Sequence, residues 1–246
     1  MKKLLHGFFM CQSMFCSIPC PCKIWDEDAR EIMLQWLPAI GLEIGLIWFF
    51  LGWVCRMLGV QDMISGLVLA VFPYLATGFI HLDGFMDVTD AVKSCRSLER
   101  RSEILKDSHV GSFAVIGVCL LLLAQFAFCT AFPKTADLRV LILIPAVSRC
   151  CSVLAVTVLP KMNTSQYVKS EKKTVTVLIP VLTMLVLAAA GFAISGKYGL
   201  ALPGACVGYA LALRRAYRSL EGMNGDISGY SQTISELTAV AVLALI

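Results

Sequence analysis

Long apolar runs separated by short polar segments dominate the pattern of this chain. A helical run of roughly 20 apolar residues is long enough to cross the hydrocarbon core of a bilayer. Runs of this kind cover residues 34–54, 64–80, 110–132, 140–160, 174–195, 198–213 and 233–246. The pattern predicts an all-α, polytopic integral membrane helical bundle with six to seven transmembrane helices, in which residues 1–246 form a single domain.

Composition supports this interpretation. The chain of 246 residues is 58% hydrophobic and only 15% charged, whereas soluble domains are about 25% charged. No clean apolar stretch precedes Pro19, so residues 1–33 are predicted to be a retained amphipathic or re-entrant segment and not a signal peptide. The early cysteines (Cys11, Cys16, Cys20 and Cys22) are irregularly spaced without a nearby His pair, which favours plain thiols over a zinc site.

The distribution of basic residues predicts the orientation in the membrane, because Lys and Arg resist translocation. Alternate polar segments carry most of them: Lys2, Lys3, Lys23 and Arg30; Lys93, Arg96, Arg100, Arg101 and Lys106; Lys161, Lys169, Lys172 and Lys173; Arg214, Arg215 and Arg218. The N-terminus and these segments are therefore predicted to be cytoplasmic, in a multi-pass protein of the cell membrane. Membrane lipid is an expected partner and nucleic acid is not; whether the chain forms a homo-oligomer stays open.

The most informative polar segment is residues 81–109, predicted to be a cytoplasmic catalytic loop. It begins with His81, Asp83, Asp87 and Asp90, and the three aspartates share one face if the segment is helical. Stacked like charges repel each other, and a hard divalent cation such as Mg²⁺ would offset that repulsion. The alternative is an acidic loop end that water alone screens. The regular spacing favours the metal site.

The second half of this segment is basic. Cationic side chains beside a metal suit a polyphosphate substrate. For Arg96, Arg100 and Arg101, charge that sets topology or attracts anionic lipid is an equally good explanation. The following residues, Lys106, Asp107, Ser108, His109 and Gly111, are stronger candidates for substrate contacts, because a glycine lets the backbone approach a ligand closely.

A second cytoplasmic site loop is predicted at residues 214–232. Its Asn224-Gly225-Asp226 sequence is typical of a turn, and charge places it on the same side of the membrane as the aspartate cluster. Asp226 is therefore a candidate fourth ligand, and Glu236 lies further along. Glu43 and Arg149 interrupt apolar runs, where they either pair with each other or line a polar interior.

Several segments together closely resemble the cobalamin synthase family, the adenosylcobinamide-GDP ribazoletransferases of bacteria and archaea. They are FCSIPCPCKIW, HLDGFMDVTDAV, EILKDSHVGSFAV, PAVSR and GMNGDISGYSQTISEL. The resemblance runs from near residue 8 to the end in the family's order. Many members have Gly where this chain has Ala91 and Arg where it has His109.

The resemblance implies a reaction and a set of roles. The phosphoryl-cobinamide group of adenosylcobinamide-GDP passes to a ribose hydroxyl of α-ribazole or its 5′-phosphate, GMP leaves, and Mg²⁺ is required. Under this hypothesis Asp83 and Asp87 bind the metal, Asp90 is a ligand or general base, His81 is a weaker candidate base, and Lys106 contacts phosphate. Asp226 is a further ligand, and the expected substrate contacts are Asp107, Ser108, His109, Gly111, Arg149, Asn224 and Asp226.

Two other classes of protein could also carry an acidic cluster beside membrane helices. A different membrane Mg²⁺-dependent phosphotransferase could use a nucleotide-activated alcohol, but the D-G-x-x-A-R block of the phospholipid enzymes is absent, and only one aspartate-rich loop of the kind prenyltransferases pair is evident. A cation-coupled transporter would place its acids near the membrane midplane in inverted repeats. No such repeat is visible, so the ribazoletransferase hypothesis is preferred.

Overall fold

The computed structural model describes residues 2–162 and 174–246 and is all-α. The helices are α1 (Lys2–Phe15), α2 (Arg30–Met33), α3 (Leu37–Met57), α4 (Asp62–Ala76), α5 (Ile80–Lys93), α6 (Leu98–Ile104), α7 (Ser112–Thr130), α8 (Ile144–Val158), α9 (Thr174–Ser195), α10 (Ala201–Leu220) and α11 (Gly225–Leu245). Short 3₁₀ turns cover Glu27–Ala29, Leu34–Trp36, Leu138–Ile142 and Gly196–Leu200. Over the described residues the only extended pairing is a single bridge between Lys161 and Met223.

Helix α8 forms the centre of the bundle. Eleven of its 15 residues are buried, whereas α7 and α9 expose large apolar side chains such as Leu120, Leu123, Leu185 and Val186. A helix that is apolar on every side is typical of a membrane span, and in lipid the apolar side chains can face outward. The outer helices thus present the surface expected of a membrane protein.

The described residues contain four helical stretches that are long and apolar enough to cross a membrane: Glu27–Met57, Ser112–Thr130, Leu138–Val158 and Thr174–Leu220. A fifth is obtained if α4 and α5, which meet at a bend of 89°, are counted together. A multi-pass membrane bundle is therefore confirmed, but the predicted six to seven spans are not. The predicted C-terminal span belongs to α11, whose many polar side chains are buried in the protein.

The bend between α4 and α5 gives the first correction to the sequence analysis. Gly78 and Phe79 both have left-handed backbone conformations, with φ of 58° and 63°, which end α4 and redirect the chain. The segment 81–109 is then not a loop, because α5 and α6 occupy most of it. Helix α5 carries the acidic row (Asp83, Asp87 and Asp90) beyond the bend, outside the four helical stretches that qualify as spans on their own.

The N-terminal segment folds back over the start of α3 and reaches this bend. The ring of Phe8 packs edge-on against Trp36 with centroids 5.5 Å apart, and Nδ1 of His6 lies 2.7 Å from a carboxylate oxygen of Asp26. The Ser17 N–H donates to the Ala76 carbonyl at 2.8 Å. Residues 2–33 therefore lie against α3 and α4 and do not form a separate unit.

Of the two remaining polar segments, residues 214–232 are all described and residues 161–173 are described only as far as residue 162. The predicted site loop 214–232 is mostly helical, since α10 continues to Leu220 and α11 begins at Gly225. Only the turn between them is irregular. The basic residues Lys169, Lys172 and Lys173 lie outside the described residues.

Close contact between α3 and α8 depends on glycine. A Cβ added to Gly41 would lie 2.6 Å from the Pro145 carbonyl oxygen, and one added to Gly45 would fall onto the Ile142 carbonyl. Gly41 and Gly45 are spaced as small residues are at tightly packed membrane helix contacts. Their absent side chains let the two backbones touch.

We expect Gly45→Ala to force α3 and α8 apart and to lower the free energy of unfolding by about 1–3 kcal/mol, the usual cost of overpacking. The measurement is the thermal unfolding midpoint of the purified protein in detergent. Gly7→Ala is the matched control, because a Cβ there meets only ordinary contacts at 3.5 Å. Equal midpoints for the two variants would contradict the proposed backbone contact.

Candidate active site

A cavity of about 300 Å³ lies where the N-terminal segment, α5, α8 and α11 meet. Four residues of the sequence-predicted set line it: His81, Asp83, Asn224 and Asp226. They come from segments far apart in sequence. The predicted convergence of the aspartate cluster and the Asn224-Gly225-Asp226 turn is therefore seen in the structure.

Two glycines allow this convergence. A Cβ on Gly84 of α5 would lie 2.9 Å from the Asp226 carbonyl oxygen, and a Cβ on Gly229 of α11 would lie 3.1 Å from the Cα of His81. The backbones of α5 and α11 are thus in direct contact at both points. Packing also holds the helices in register, because Phe85 stacks on Tyr230 with ring centroids 5.5 Å apart.

The acidic side chains interact strongly with one another. Burial, followed by the charges of Asp83, Asp226 and Asp90, raises the pKa of Asp87 to about 6. Burial and the charge of Asp83 also raise the pKa of Asp226, against the hydrogen bond from Asn224. Asp87 and Asp226 therefore resist ionisation in this environment, and a cation would relieve the repulsion between the carboxylates.

Asn224 positions Asp226. Its Oδ1 accepts from the Ile227 N–H at 3.0 Å, which caps the first turn of α11. Its Nδ2 donates to an Asp226 carboxylate oxygen at 2.7 Å. Asn224 is buried and also lines the cavity. In the structure it supports Asp226, and its predicted contact with substrate stays a prediction.

His81 is part of a buried hydrogen-bonded chain. Its Nδ1 lies 3.0 Å from Nε2 of Gln232, and Oε1 of Gln232 accepts from the Ser152 hydroxyl at 3.0 Å. Burial and the charge of Arg149 lower the pKa of His81 to about 3. The imidazole is therefore neutral near pH 7. The amide of Gln232 occupies Nδ1, which leaves Nε2 for a ligand.

Asp90, at the far end of the acidic row, contacts α7. Its carboxylate accepts the Gly111 N–H at 2.6 Å and the Ala114 N–H at 2.9 Å. These are among the N–H groups that the start of a helix leaves without intrahelical partners. Asp90 thus holds α7 in place. Because Gly111 belongs to the predicted substrate-contact segment 106–111, this hydrogen bond also links that segment to Asp90.

The other residues of the segment 106–111 that were predicted to contact substrate do not line the cavity. Lys106, Asp107, Ser108 and His109 are exposed between α6 and α7. Nδ1 of His109 lies 2.7 Å from Asp107, and this hydrogen bond is the main reason that the pKa of Asp107 falls below its usual range. The structure brings them close to Asp90 through Gly111, but not to Asp83 or Asp226.

Arg149 requires a correction, because it is buried in the bundle and does not line the cavity. Its guanidinium donates to Glu236 of α11 at 3.1 Å and to the Pro145 carbonyl at 3.0 Å. Glu43 instead accepts from Gln12 at 3.1 Å. A buried charge needs a paired partner, and Glu236 supplies it. The predicted substrate contact of Arg149 is therefore wrong, as is the alternative of a pair with Glu43.

Several cavity residues were missed by the sequence analysis. They are Trp25, Arg30 and Glu31 from the N-terminal segment, Ser152 and Thr157 from α8, Lys161, and Gln232 from α11. Burial lowers the pKa of Lys161. Trp25 and Gln232 had a signal, since they belong to the FCSIPCPCKIW and GMNGDISGYSQTISEL segments on which the family resemblance rests. The others are single polar residues whose neighbours are set by the tertiary fold.

Comparison with known proteins assigns the family. Residues 7–244 match the family described as cobalamin-5-phosphate synthase. The chain belongs to this family. The matched residues include both α5 and α11, the two helices that converge at the cavity.

Relatives are similar over their full length. A protein of Clostridium perfringens (strain SM101 / Type A) is 36% identical over 251 residues, covering 100% of both chains. A Clostridium botulinum (strain Alaska E43 / Type E3) protein is 30% identical over 98% of this chain and 97% of its own. A Brevibacillus brevis protein is 28% identical over 98% of each. All three are named adenosylcobinamide-GDP ribazoletransferase. No solved structure matches the chain.

The Arg149–Glu236 pair can be tested by a double-mutant cycle. We expect Arg149→Met alone to lower the free energy of unfolding by about 3–5 kcal/mol, because it leaves Glu236 charged and buried. The double variant Arg149→Met/Glu236→Met should recover much of that loss. Thermal unfolding in detergent gives the energies. Additive effects of the two single variants would contradict a direct pair.

Proposed function

We propose that the chain transfers the phosphoryl-cobinamide group of adenosylcobinamide-GDP to a ribose hydroxyl of α-ribazole or its 5′-phosphate. Membership of the cobalamin-5-phosphate synthase family and full-length similarity to proteins named adenosylcobinamide-GDP ribazoletransferase support the reaction. The observation that carries the proposal is that Asp83, Asp226 and His81, from distant segments, line one cavity. The enzyme would act in the assembly of the nucleotide loop of cobalamin.

The reaction exchanges one phosphoester linkage for another. The acceptor's hydroxyl oxygen forms a bond to the phosphorus that carries cobinamide, the bond from that phosphorus to the bridging oxygen breaks, and GMP leaves with the bridging oxygen. The hydroxyl proton passes to a base or to water. Catalysis of such transfers consists largely of positioning and of neutralising charge on the phosphate oxygens.

We further propose Mg²⁺ as the cofactor, bound directly by one or two of the carboxylates of Asp83, Asp87 and Asp226. Within residues 2–162 and 174–246, no three His, Cys, Asp or Glu side chains converge into a complete metal site. Mg²⁺ does not need one, because it usually takes one or two carboxylates and completes its shell with water and substrate phosphates. The mutual repulsion around Asp87 fits such an ion. When bound, it would neutralise charge on the diphosphate.

The other residues have supporting roles in this proposal. Asn224 fixes the Asp226 carboxylate, and Gln232 orients the neutral His81 ring, whose Nε2 is left for a substrate oxygen. Asp90 keeps α7 and the Lys106–His109 segment beside α5. The exposed Lys106 remains a candidate contact for the outer part of the donor.

The orientation is also part of the proposal. The basic residues around α6, at the end of α10 and in the N-terminal segment support a cytoplasmic location for the N-terminus and the cavity. Arg101 of α6 donates to the Ser219 carbonyl of α10 at 3.0 Å, which links two of these basic segments. Substrates made in the cytoplasm would then reach the site without crossing the bilayer.

We expect Asp83→Asn to lower the rate of GMP release from adenosylcobinamide-GDP by about a hundredfold or more, as loss of a key electrostatic group does. The measurement is Mg²⁺-dependent turnover in membranes, with α-ribazole as acceptor. Asp62→Asn is the matched control, because Asp62 is an exposed residue at the opposite end of α4. A near-normal rate with normal metal dependence in Asp83→Asn would refute its assignment as a ligand.

A further inference from the structure

We infer that the cavity is the subsite for the acceptor, and that its N-terminal wall, with Trp25 at the edge, binds the benzimidazole base of α-ribazole. This inference rests on the proposed function and names which of the two substrates the cavity takes. The observations are the chemical character of the wall, the size of the cavity and the existence of a second cavity that shares Asp83.

The N-terminal wall is mostly apolar. Met14 and Phe15 of α1, Trp25, and Met33, Leu34 and Leu37 around the start of α3 contribute to it, and Val153 and Val156 of α8 extend it. The N-terminal segment also contributes Arg30, Glu31 and Gln35, and the other acidic and amide side chains of the cavity come from α5, from α11 and from the turn that precedes α11. The cavity therefore offers an apolar part for a flat ring system and a polar part for a sugar.

The two substrates differ in how they would suit such a wall. The guanine of the donor carries several hydrogen-bonding groups on its edges, and each would cost free energy if buried against Met, Leu and Val without a partner. The dimethylbenzimidazole base of α-ribazole carries two methyl groups and no edge donor. Burying that base is favourable on an apolar wall, so the wall discriminates for the acceptor.

The size of the cavity excludes the bulk of the donor. A space of about 300 Å³ suits a nucleoside, whereas a corrinoid is several times larger. A second cavity of about 540 Å³ adjoins the first at the bend between α4 and α5 and shares Asp83, Ile80 and Met14 with it. Its wall includes Ser13, Ser17 and Thr77. The phosphate end of the donor can thus approach Asp83 from a different side than the acceptor, with the corrinoid outside both cavities.

Trp25 is held in place at the first cavity although 55% of it is exposed. Its indole N–H donates to a carboxylate oxygen of Glu27 at 2.7 Å, and the guanidinium of Arg30 lies 5.9 Å from its ring centroid. A preorganised aromatic ring costs little entropy to use in binding. An exposed tryptophan fixed beside a cavity is thus well suited to cover a bound aromatic base.

The test compares Michaelis constants for the two substrates in the full chain reconstituted in lipid nanodiscs. We expect Trp25→Ala to raise KM for α-ribazole about tenfold, because the base loses its aromatic stacking partner. KM for adenosylcobinamide-GDP should be unchanged. Trp25→Phe should recover most of the affinity because it keeps a ring. Trp53→Ala is the matched control, since Trp53 is an exposed residue of α3 away from the cavity.

Equilibrium binding of α-ribazole without donor or metal gives a second readout that does not depend on turnover. Affinity should fall in Trp25→Ala, and it should also fall for a riboside whose benzimidazole lacks the methyl groups. An unchanged affinity for α-ribazole, or a Trp25→Ala effect on donor KM alone, would overturn the acceptor assignment. A wild-type protein that binds α-ribazole but releases no GMP would instead contradict the proposed function and leave the subsite standing.

Discussion

Helices α5 and α11 approach so closely that a Cβ at Gly84 or Gly229 would lie only 2.9 Å or 3.1 Å from the backbone of the other helix. This contact brings the start of the acidic row next to the N-terminus of α11. It also sets the distance at which Asp83 and Asp226 face each other across the cavity. A bulkier residue at either glycine would separate the helices, and Asn224 could then no longer hold Asp226 beside α5. The site therefore depends on a backbone contact made by residues that carry no functional group.

The second constraint is the polarity of α11. Helix α11 has buried Ser228, Ser231, Gln232, Ser235 and Glu236 inside an otherwise apolar bundle. Without water to satisfy them, such groups must find partners within the protein, and α8 supplies several. The Ser148 and Arg149 side chains bind Glu236, and Ser152 binds Gln232. The chain of contacts continues to His81, so the packing of α8 on α11 also sets the orientation of a cavity residue.

The sequence predicted those parts of the molecule that depend on local pattern. Apolar runs located α3, α7, α8 and α9, and the spacing of Asp83, Asp87 and Asp90 correctly indicated one helix. It did not predict the bend at Phe79, because a non-glycine residue in the left-handed region is uncommon. Nor could it choose a partner for Arg149. Glu43 and Glu236 were both available by type, and only the tertiary fold brings one of them within hydrogen-bonding distance.

The acidic row shows how charge repulsion can be divided between structure and function. Asp90 is offset by two backbone N–H groups at the start of α7, where the helix dipole also favours a negative charge. One turn earlier, burial and the charges of Asp83, Asp226 and Asp90 raise the pKa of Asp87 to about 6. One end of the row is thus stabilised by the fold itself. The other end has carboxylates that burial and mutual repulsion destabilise, and for this reason we propose it, and not Asp90, as the place where Mg²⁺ and the diphosphate would bind.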